Sequence, residues 1–431
     1  MRFYIPGLVA HIATGSVLGC ALIGTSAAQP TLVAPAIAAF PMAPTLAQAA
    51  ESAWQRATQA READGQTRRA QAEQSAASSL WAAPPALELS HRDDRWQTAA
   101  GRRETEAGLA WPLWLPGQRS ARGAAVDADL ALAQAAIEAG RLHFAGQVRE
   151  AAWGITAQRA ELDLAEAQTR YLKGIAEDVD RRVKAGDLAP ADALAAQAEM
   201  LAANSTLLAN RQRLATSIAQ WTLLTGLEVV SDPGKTTELI MATAIAPQNQ
   251  PALNAEAHPD ARLAQLTVER AHKRLNVVGS SWRDPPELLL RLRQDVPGHG
   301  EAAQNSIGIG IRVPLGTDGR NLPLQASALS ELDVAQSRAQ RTQERLIAEA
   351  ALAQASVDTA QQQLEAERHR ATLLRERAAL IDRSFKAGET PLSELLRAVS
   401  AATQADAGLA RQQAALGLAR ARLQQALGLF P

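Results

Sequence analysis

RVKAG at residues 182–186 and SFKAG at residues 384–388 are nearly the same stretch of sequence, and they lie 202 residues apart. Each stretch closes a long segment with helical character, and a second helical segment follows it. Both stretches end in Gly, the residue that adopts the left-handed conformation common at helix C-termini at the lowest cost. The repeated stretch therefore predicts two equivalent turns, each joining a long helix to the next helix.

Three further pairs of stretches recur in the same order, at a spacing of 201 or 202 residues. They are SLWAAPPALEL at 79–89 with SSWRDPPELLL at 280–290, GLAWPL at 108–113 with GIRVPL at 310–315, and LTGL at 224–227 with ALGL at 426–429. Four matches in order at one spacing indicate a duplication. The sequence predicts two tandem structural repeats, at 29–227 and 258–431, joined by a linker at 228–257.

Within each repeat the hydrophobic period changes in the same order. A helical segment is followed by Pro-Pro, after which apolar residues alternate with other residues, as Leu288, Leu290 and Leu292 do in the second repeat. A period of two is typical of a β-strand. The alternating segments, at about 84–115 and about 285–315, predict a hairpin-like pair of strands in each repeat.

A very long helix is predicted after each pair of strands. Pro is absent between Pro116 and Pro190 and between Pro323 and Pro391. A helix of about 65 residues would be about 100 Å long. Apolar residues at alternating four- and three-residue steps form a heptad seam in both copies, which indicates sideways packing against partner helices. The seam comprises Phe144, Val148, Ala151, Ile155, Leu162, Leu172, Ala176, Val179 and Val183, and Leu346, Ala350, Ala353, Val357, Ala360, Leu364, Ala371, Leu374, Ala378, Ile381 and Phe385.

Composition and motifs argue against several classes of function. Aromatic residues make up only 3% of the chain, while Ala, Leu, Gln, Arg and Glu dominate, as in long helices. The net charge of −1 offers no basic surface for nucleic acid. No GxSxG, HExxH or phosphate-binding Gly-rich loop is present, so we predict no enzyme and no cofactor. The seven histidines are scattered, and we predict no metal site, although His91 and His299 fall in the strand-connecting loops.

The first 28 residues are typical of a secretory signal peptide. Arg2 precedes an apolar run from 12 to 23, and small residues end the segment at 26–28. The run is shorter than the roughly 20 residues of a membrane-spanning helix, the alternative interpretation. The one cysteine, Cys20, lies in this segment in VLGC, which leaves two interpretations: a lipidation site or a small apolar residue of the signal.

The order helix, hairpin, long helix, turn and helix, repeated behind an export signal, resembles the TolC family of bacterial outer-membrane efflux channels from about Thr45 to Leu429. WPLWLPGQRSARGAA at 111–125 is most similar to the metal-efflux subgroup typified by CzcC. The resemblance implies a mainly α fold with a membrane β-barrel part. Three chains would form a 12-stranded barrel in the outer membrane and an α-helical tunnel in the periplasm. An open sheet edge cannot face lipid, which independently favours closure by other copies.

The resemblance also implies a function and partners. The chain would be a passive exit duct, working with an inner-membrane pump of the RND type and a periplasmic adaptor protein, and heavy-metal cations would be its substrates. Efflux of drugs or other organic compounds, and secretion, remain open within the same family. A periplasmic coiled-coil protein without a channel is the alternative from another class.

In the family, the turns between long and short helices form the periplasmic tip, where the channel narrows and the adaptor docks. In this sequence the tip turns correspond to 184–190 and 386–391. The implied adaptor-binding residues are Val183, Lys184, Ala185, Gly186, Phe385, Lys386, Ala387 and Gly388. Gate candidates are Asp192 and Glu394, which would alternatively only stabilise a helix N-terminus, together with Arg181, Arg182, Asp382 and Arg383, which would form ion pairs between helices.

Overall fold

The computed structural model describes residues 44–96, 99–228, 230 and 257–431. The predicted signal peptide with Cys20, and most of the predicted linker, lie outside the described residues. The helices are α1 (Leu46–Arg56), α2 (Thr58–Ala77), α3 (Gln118–Ala185), α4 (Pro190–Thr225), α5 (Pro259–Ser280), α6 (Asp318–Lys386) and α7 (Leu392–Ala426); the strands are β1 (Ala86–Asp93), β2 (Arg103–Pro112), β3 (Glu287–Val296) and β4 (Gln304–Arg312). The predicted order of elements is confirmed, and it occurs twice.

The strands of both repeats form one antiparallel sheet in the order β1-β2-β3-β4. Leu87 lies opposite Leu109 in the first hairpin, and Leu288 lies opposite Ile311 in the second. The hairpins join through β2 and β3, where Leu109 lies opposite Leu290. The outer strands β1 and β4 are consequently the two edges of the sheet.

The two long helices, α3 with 68 residues and α6 with 69, extend about 100 Å each. Each one packs along the shorter helix that follows it, and α3 also contacts α5 and α7. The heptad positions of both copies are buried or half-buried. In α6 the seam begins at Leu346, which is 1% exposed, and ends at Phe385, which is 5% exposed. None of the described helices is both long enough and apolar enough to cross a membrane.

The first helical segment of the chain forms two helices, α1 and α2, rather than one. It is broken at Ala57, whose backbone is extended, with φ −68° and ψ 141°. Both pieces still pack against α3, and Ala57 is buried in the same cluster as Trp54 and Ala60. No Gly or Pro lies at the break, so the sequence offers no local helix breaker there.

A small aromatic cluster connects the helices to the sheet. The rings of Trp81 and Trp111 lie 6.3 Å apart, between centroids, at the junction of α2 with the first hairpin. Trp114 donates from its indole nitrogen to the carbonyl oxygen of Ser79, at 3.1 Å. The junction therefore holds both ends of the hairpin against the helices.

Candidate functional site

The first corner, between α3 and α4, is a helix C-terminus closed by Gly186. The Gly186 N–H donates to the carbonyl oxygen of Val183 at 3.0 Å, and the Asp187 N–H donates to that of Arg182 at 2.9 Å. Gly186 has φ +87°, the left-handed conformation predicted from the sequence. These bonds satisfy carbonyl groups that the end of the helix would otherwise leave without partners.

The second corner, between α6 and α7, repeats the same arrangement. The Gly388 N–H donates to the carbonyl oxygen of Phe385 at 3.0 Å, and the Glu389 N–H donates to that of Ser384 at 3.0 Å. Gly388 has φ +81°. The two corners are therefore equivalent in backbone conformation as well as in sequence.

Each corner carries one exposed lysine that is paired within its own helix. Lys184 lies 2.6 Å from Asp180, and Lys386 lies 2.7 Å from Asp382, in both cases between the ammonium nitrogen and a carboxylate oxygen one turn earlier. Exposed pairs of this kind contribute only about 0–1 kcal/mol. The lysines are consequently available at the surface, beside the exposed Ala185 and Ala387.

The two corners share one hydrophobic core. Phe385 is buried there with residues from both repeats, and Val183 packs at its edge. The buried members are Leu172, Ile175, Ala176, Val179, Ala196, Ala203, Phe385, Leu392, Leu395 and Val399. Burial of this core holds the ends of α3, α4, α6 and α7 together, so the structure brings the two predicted turns to one end of the molecule.

Side-chain contacts made by Arg182 and Tyr171 also connect the corners directly. The guanidinium carbon of Arg182 lies 5.1 Å from the centroid of the Phe385 ring, a cation–π geometry. The hydroxyl of Tyr171 donates to a carboxylate oxygen of Asp382 at 3.1 Å. Burial, followed by the charge of Asp382 and this hydrogen bond, raises the pKa of Tyr171 to about 12.

Tyr171 was not among the residues predicted from the sequence. Its partner lies 211 residues later in the chain, and no local pattern relates the two positions. The only available signal was its rarity, since the chain contains two tyrosines. The contact became visible only when the two corners were placed side by side.

Within the single chain, the arginines among the gate candidates bind partners in their own helices. Arg181 and Arg182 both bind Asp178, at 3.1 and 2.9 Å, within α3 itself. Arg383 donates to the carbonyl oxygen of Ala379, one turn earlier in α6. Among the described residues, two of these side chains still link the corners. Arg182 contacts Phe385, and Asp382 accepts the hydrogen bond from Tyr171.

Asp192 and Glu394 occupy equivalent positions but have different surroundings. The half-buried Asp192 accepts the backbone N–H of Ala189 at 3.3 Å, so its carboxylate caps the start of α4. Glu394 is exposed in the first turn of α7, and its carboxylate has no hydrogen-bond or ion-pair partner among the described residues. Of these two acids, Glu394 is therefore the one whose carboxylate is not engaged within the chain.

One face of the sheet is polar and ion-paired. Arg291 lies 3.4 Å from Glu106, and Arg293 lies 3.1 Å from Glu104, across the β2–β3 boundary. Arg312 of β4 comes within 3.8 Å of Glu88 of β1, on the opposite edge strand. A side chain can span two edge strands only if the sheet curls, so the polar face is concave.

The opposite face is apolar and open. Leu89 is 73% exposed and Ile309 is 78% exposed, and other large aliphatic side chains surround them. The register places Leu87, Leu89, Leu109, Trp111, Leu288, Leu290, Leu292, Ile307, Ile309 and Ile311 on this face. Exposed apolar patches of this kind mark contact with a membrane or with a partner protein.

His91 lies in β1, opposite Thr105, rather than in the expected loop, and neither His91 nor His299 lies in a metal site among the described residues. A ring nitrogen of His91 is 2.9 Å from the Thr105 hydroxyl, and a ring nitrogen of His299 is 3.1 Å from the Ala99 carbonyl oxygen. Within the described ranges, no three His, Cys, Asp or Glu side chains are grouped as metal ligands.

Comparison with known proteins gives a result for structure only. No protein-family model and no curated protein matches this sequence. Among solved structures, the outer membrane protein VceC of Vibrio cholerae is 18% identical with a TM-score of 0.69, the alignment covering 89% of this chain and 96% of VceC. CusC is 16% identical with a TM-score of 0.73, covering 89% of this chain and 92% of CusC.

The outer membrane channel CmeC of Campylobacter jejuni is 14% identical with a TM-score of 0.71, covering 89% of this chain and 85% of CmeC. This chain has the fold of outer-membrane channels. The fold expected from the sequence resemblance is thereby confirmed for the single chain. Identities of 14–18% do not distinguish one channel subgroup from another.

Proposed function

We propose that this protein is the outer-membrane channel of a tripartite efflux system and that it works as a homotrimer. The observation that carries the proposal is the sheet: its exposed face is apolar, its concave face is ion-paired, and it is attached to helices about 100 Å long. An apolar outer face and a polar interior are the properties of a transmembrane barrel. The likeness to outer-membrane channels in fold supports the same assignment.

Closure of the sheet by other copies follows from its two edges. A sheet of four strands cannot present the unpaired N–H and C=O groups of β1 and β4 to lipid. Three copies would supply twelve strands and enclose the polar face as the lumen. The helices would form the periplasmic tunnel, and the export signal proposed at 1–28 would direct the chain to that compartment.

The shared end of the two corners is the proposed site of adaptor docking and of the gate. Its surface residues are Lys184, Ala185, Gly186, Lys386, Ala387 and Gly388, over the core that contains Phe385. Glu394 is the proposed aperture acid, because Asp192 is engaged as a helix cap. Arg182 and Tyr171 would hold the two corners of one chain together while a periplasmic adaptor moves them relative to other copies.

The proposed substrates are heavy-metal cations, supplied by an inner-membrane pump of the RND type. This choice rests on the similarity of 111–125 to the metal-efflux subgroup. Drug efflux, other organic compounds and secretion are the alternatives for the same channel. The duct itself would be passive and non-enzymatic, so substrate choice would lie mainly with the pump.

The proposal is tested by fractionation and by a deletion strain. The protein should be recovered from outer-membrane fractions as a trimer that dissociates on heating. The deletion strain should lose tolerance to at least one of cobalt, zinc, cadmium, copper and silver, and the gene should restore it. Recovery without detergent as a soluble protein would support the non-channel alternative. Outer-membrane recovery with unchanged metal tolerance would leave the channel and eliminate the metal substrates.

A further inference from the structure

The second repeat carries a tryptophan–arginine pair where the helices meet the sheet. Trp282 and Arg283 lie between the end of α5 and the start of β3, and the guanidinium carbon of Arg283 is 4.4 Å from the centroid of the Trp282 ring. We propose that this pair binds the phosphate group of a membrane phospholipid. The membrane location rests on the proposed function, whereas the pair itself rests on the geometry of the chain.

The charge of Arg283 has no counter-charge within the described part of the chain. Its side chain is half-buried and forms no ion pair or hydrogen bond with the described residues, and its Nε is buried without an acceptor. The neighbouring acid, Asp284, is instead bound by Arg320, which also donates to the carbonyl oxygen of Ser281 at 3.3 Å. Arg283 is therefore positioned by the Trp282 ring and remains open to an anion from outside the chain.

Comparison of the two repeats shows that packing of the tryptophan does not require this charge. Trp81 is the equivalent of Trp282 at a spacing of 201 residues, and its ring packs 6.3 Å from the ring of Trp111. In the second repeat Val313 stands in place of Trp111, and Arg283 stands in place of Ala82. The second repeat thus covers its tryptophan with a cation where the first uses another ring.

The pair lies at the helix end of the apolar face of the sheet. The outward row of β4 and the residues after it runs from Ile307 to Leu315, about 26 Å along the strand direction. A transmembrane barrel has an apolar band about 25 Å tall. Leu315, which ends the row, is 83% exposed, and a Cβ at the next residue, Gly316, would lie 3.2 Å from a carbon of the Trp282 ring. In the proposed barrel the pair would therefore lie at the level of the lipid headgroups.

The chemistry of the pair fits a phospholipid. A guanidinium can donate two parallel hydrogen bonds to the oxygens of a phosphate, and stacking on a ring holds its plane in place. Tryptophan favours the boundary between hydrocarbon and headgroups, and the exposed Leu315 beside it would contact the acyl chains. A free phosphate ion would use the arginine but not the apolar surface, so the arrangement favours a lipid.

Lipid binding to the purified, detergent-solubilised protein tests the site. Native mass spectrometry would count phosphatidylglycerol molecules bound during a titration. Arg283→Gln should weaken the tightest binding about tenfold, since hydrogen bonds to a charged group are lost. Arg283→Lys should fall between the two, because it keeps the charge and loses the paired donors. Equal affinity of the wild type and Arg283→Gln would overturn the proposal.

Two controls separate this site from other sources of binding. Arg95→Gln removes an exposed arginine at the opposite end of the sheet and should leave phosphatidylglycerol binding unchanged. Diacylglycerol, which lacks the phosphate, should bind much more weakly than phosphatidylglycerol. Equal binding of diacylglycerol, or full displacement of the lipid by inorganic phosphate at the same concentration, would reject a phospholipid site.

Transplanting the pair into the first repeat gives an independent test. Ala82→Arg with Trp111→Val leaves Trp81 in place and reproduces the arrangement of the second repeat. The double variant should bind one additional phosphatidylglycerol per chain, whereas Trp111→Val alone should not. An unchanged number of bound lipids in the double variant would reject the pair as the binding element.

These readouts use neither transport nor substrate. Recovery of the protein from the outer membrane, with lipid binding unaltered by Arg283→Gln, would reject the phospholipid site and keep the proposed channel. Recovery without detergent as a soluble protein would reject the channel and, with it, the membrane location of the pair.

Discussion

At the scale of single residues, the contact between Tyr171 and Asp382 is the most specific chemistry of the corner region. The raised pKa of Tyr171, about 12, means that the folded protein favours the neutral phenol over the phenolate. Stability from this contact is present below the ordinary tyrosine pKa near 10 and is lost as the pH rises through about 12. Removing the charge of Asp382 should lower the pKa of Tyr171, but burial should still hold that pKa above its ordinary value.

We therefore expect Asp382→Asn to lower the pH midpoint of tyrosinate absorbance from about 12 towards 10 without reaching it. The titration is simple to interpret, because the second tyrosine, Tyr4, lies in the predicted signal peptide. Asp180→Asn is the matched control, since Asp180 pairs with Lys184 as Asp382 pairs with Lys386. An identical midpoint in the wild type and in Asp382→Asn would contradict the assigned contact.

At the scale of helices and turns, the two corners depend on glycine for their backbone conformation. A Cβ at Gly186 or Gly388 would have no neighbour within 4 Å, so a substitution there would be opposed by the positive φ alone. Left-handed conformation costs a residue with a Cβ about 1–2 kcal/mol. The corners should tolerate added volume but not a change of conformational preference.

Gly186→Ala and Gly388→Ala should each lower the free energy of unfolding by about 1–2 kcal/mol, measured by denaturant unfolding of detergent-solubilised protein. Gly174→Ala is the control, because Gly174 is helical, exposed and equally free of neighbours. It should raise stability by about 0.5–1 kcal/mol, since Ala is favoured over Gly in a helix. Equal effects at positions 174 and 186 would show that the left-handed backbone does not limit the corner.

At the scale of the whole molecule, the two faces of the sheet allow the proposed channel to be tested against the coiled-coil alternative. Leu89 and Ser90 are adjacent in β1 and point to opposite faces, the first apolar and exposed, the second polar and opposite Glu106. Only the apolar face would meet lipid in the proposed barrel. The same new charge should therefore have different effects at the two positions.

Leu89→Arg should destabilise the assembled protein by about 2–4 kcal/mol if the residue lies near the bilayer midplane, and it should reduce recovery from the outer membrane. Ser90→Arg should be recovered at close to the wild-type level, because it enters the polar face. Quantitative blotting of membrane fractions measures both variants. Similar recovery of Leu89→Arg and Ser90→Arg would mean that this face of the sheet does not contact lipid.

The sequence alone determined the plan of the chain. Alternation around Leu288 to Leu292, the heptad seam and the two Lys-Ala-Gly stretches predicted strands, long helices and turns, because those features depend on spacing over a few residues. The duplication further predicted that both corners have the same conformation. The same local reasoning also predicted part of the site, namely the exposed corner residues and the position of Asp192 at a helix N-terminus.

Only the tertiary structure decided which distant residues meet. It joined β2 to β3, placed Tyr171 against Asp382, broke the first helix at Ala57, and paired Arg182 with Asp178 within α3. Contacts between residues some 200 positions apart depend on how helices cross and on where side chains point. Local periodicity specifies each element and its apolar face, but the choice of partner comes from packing those faces together.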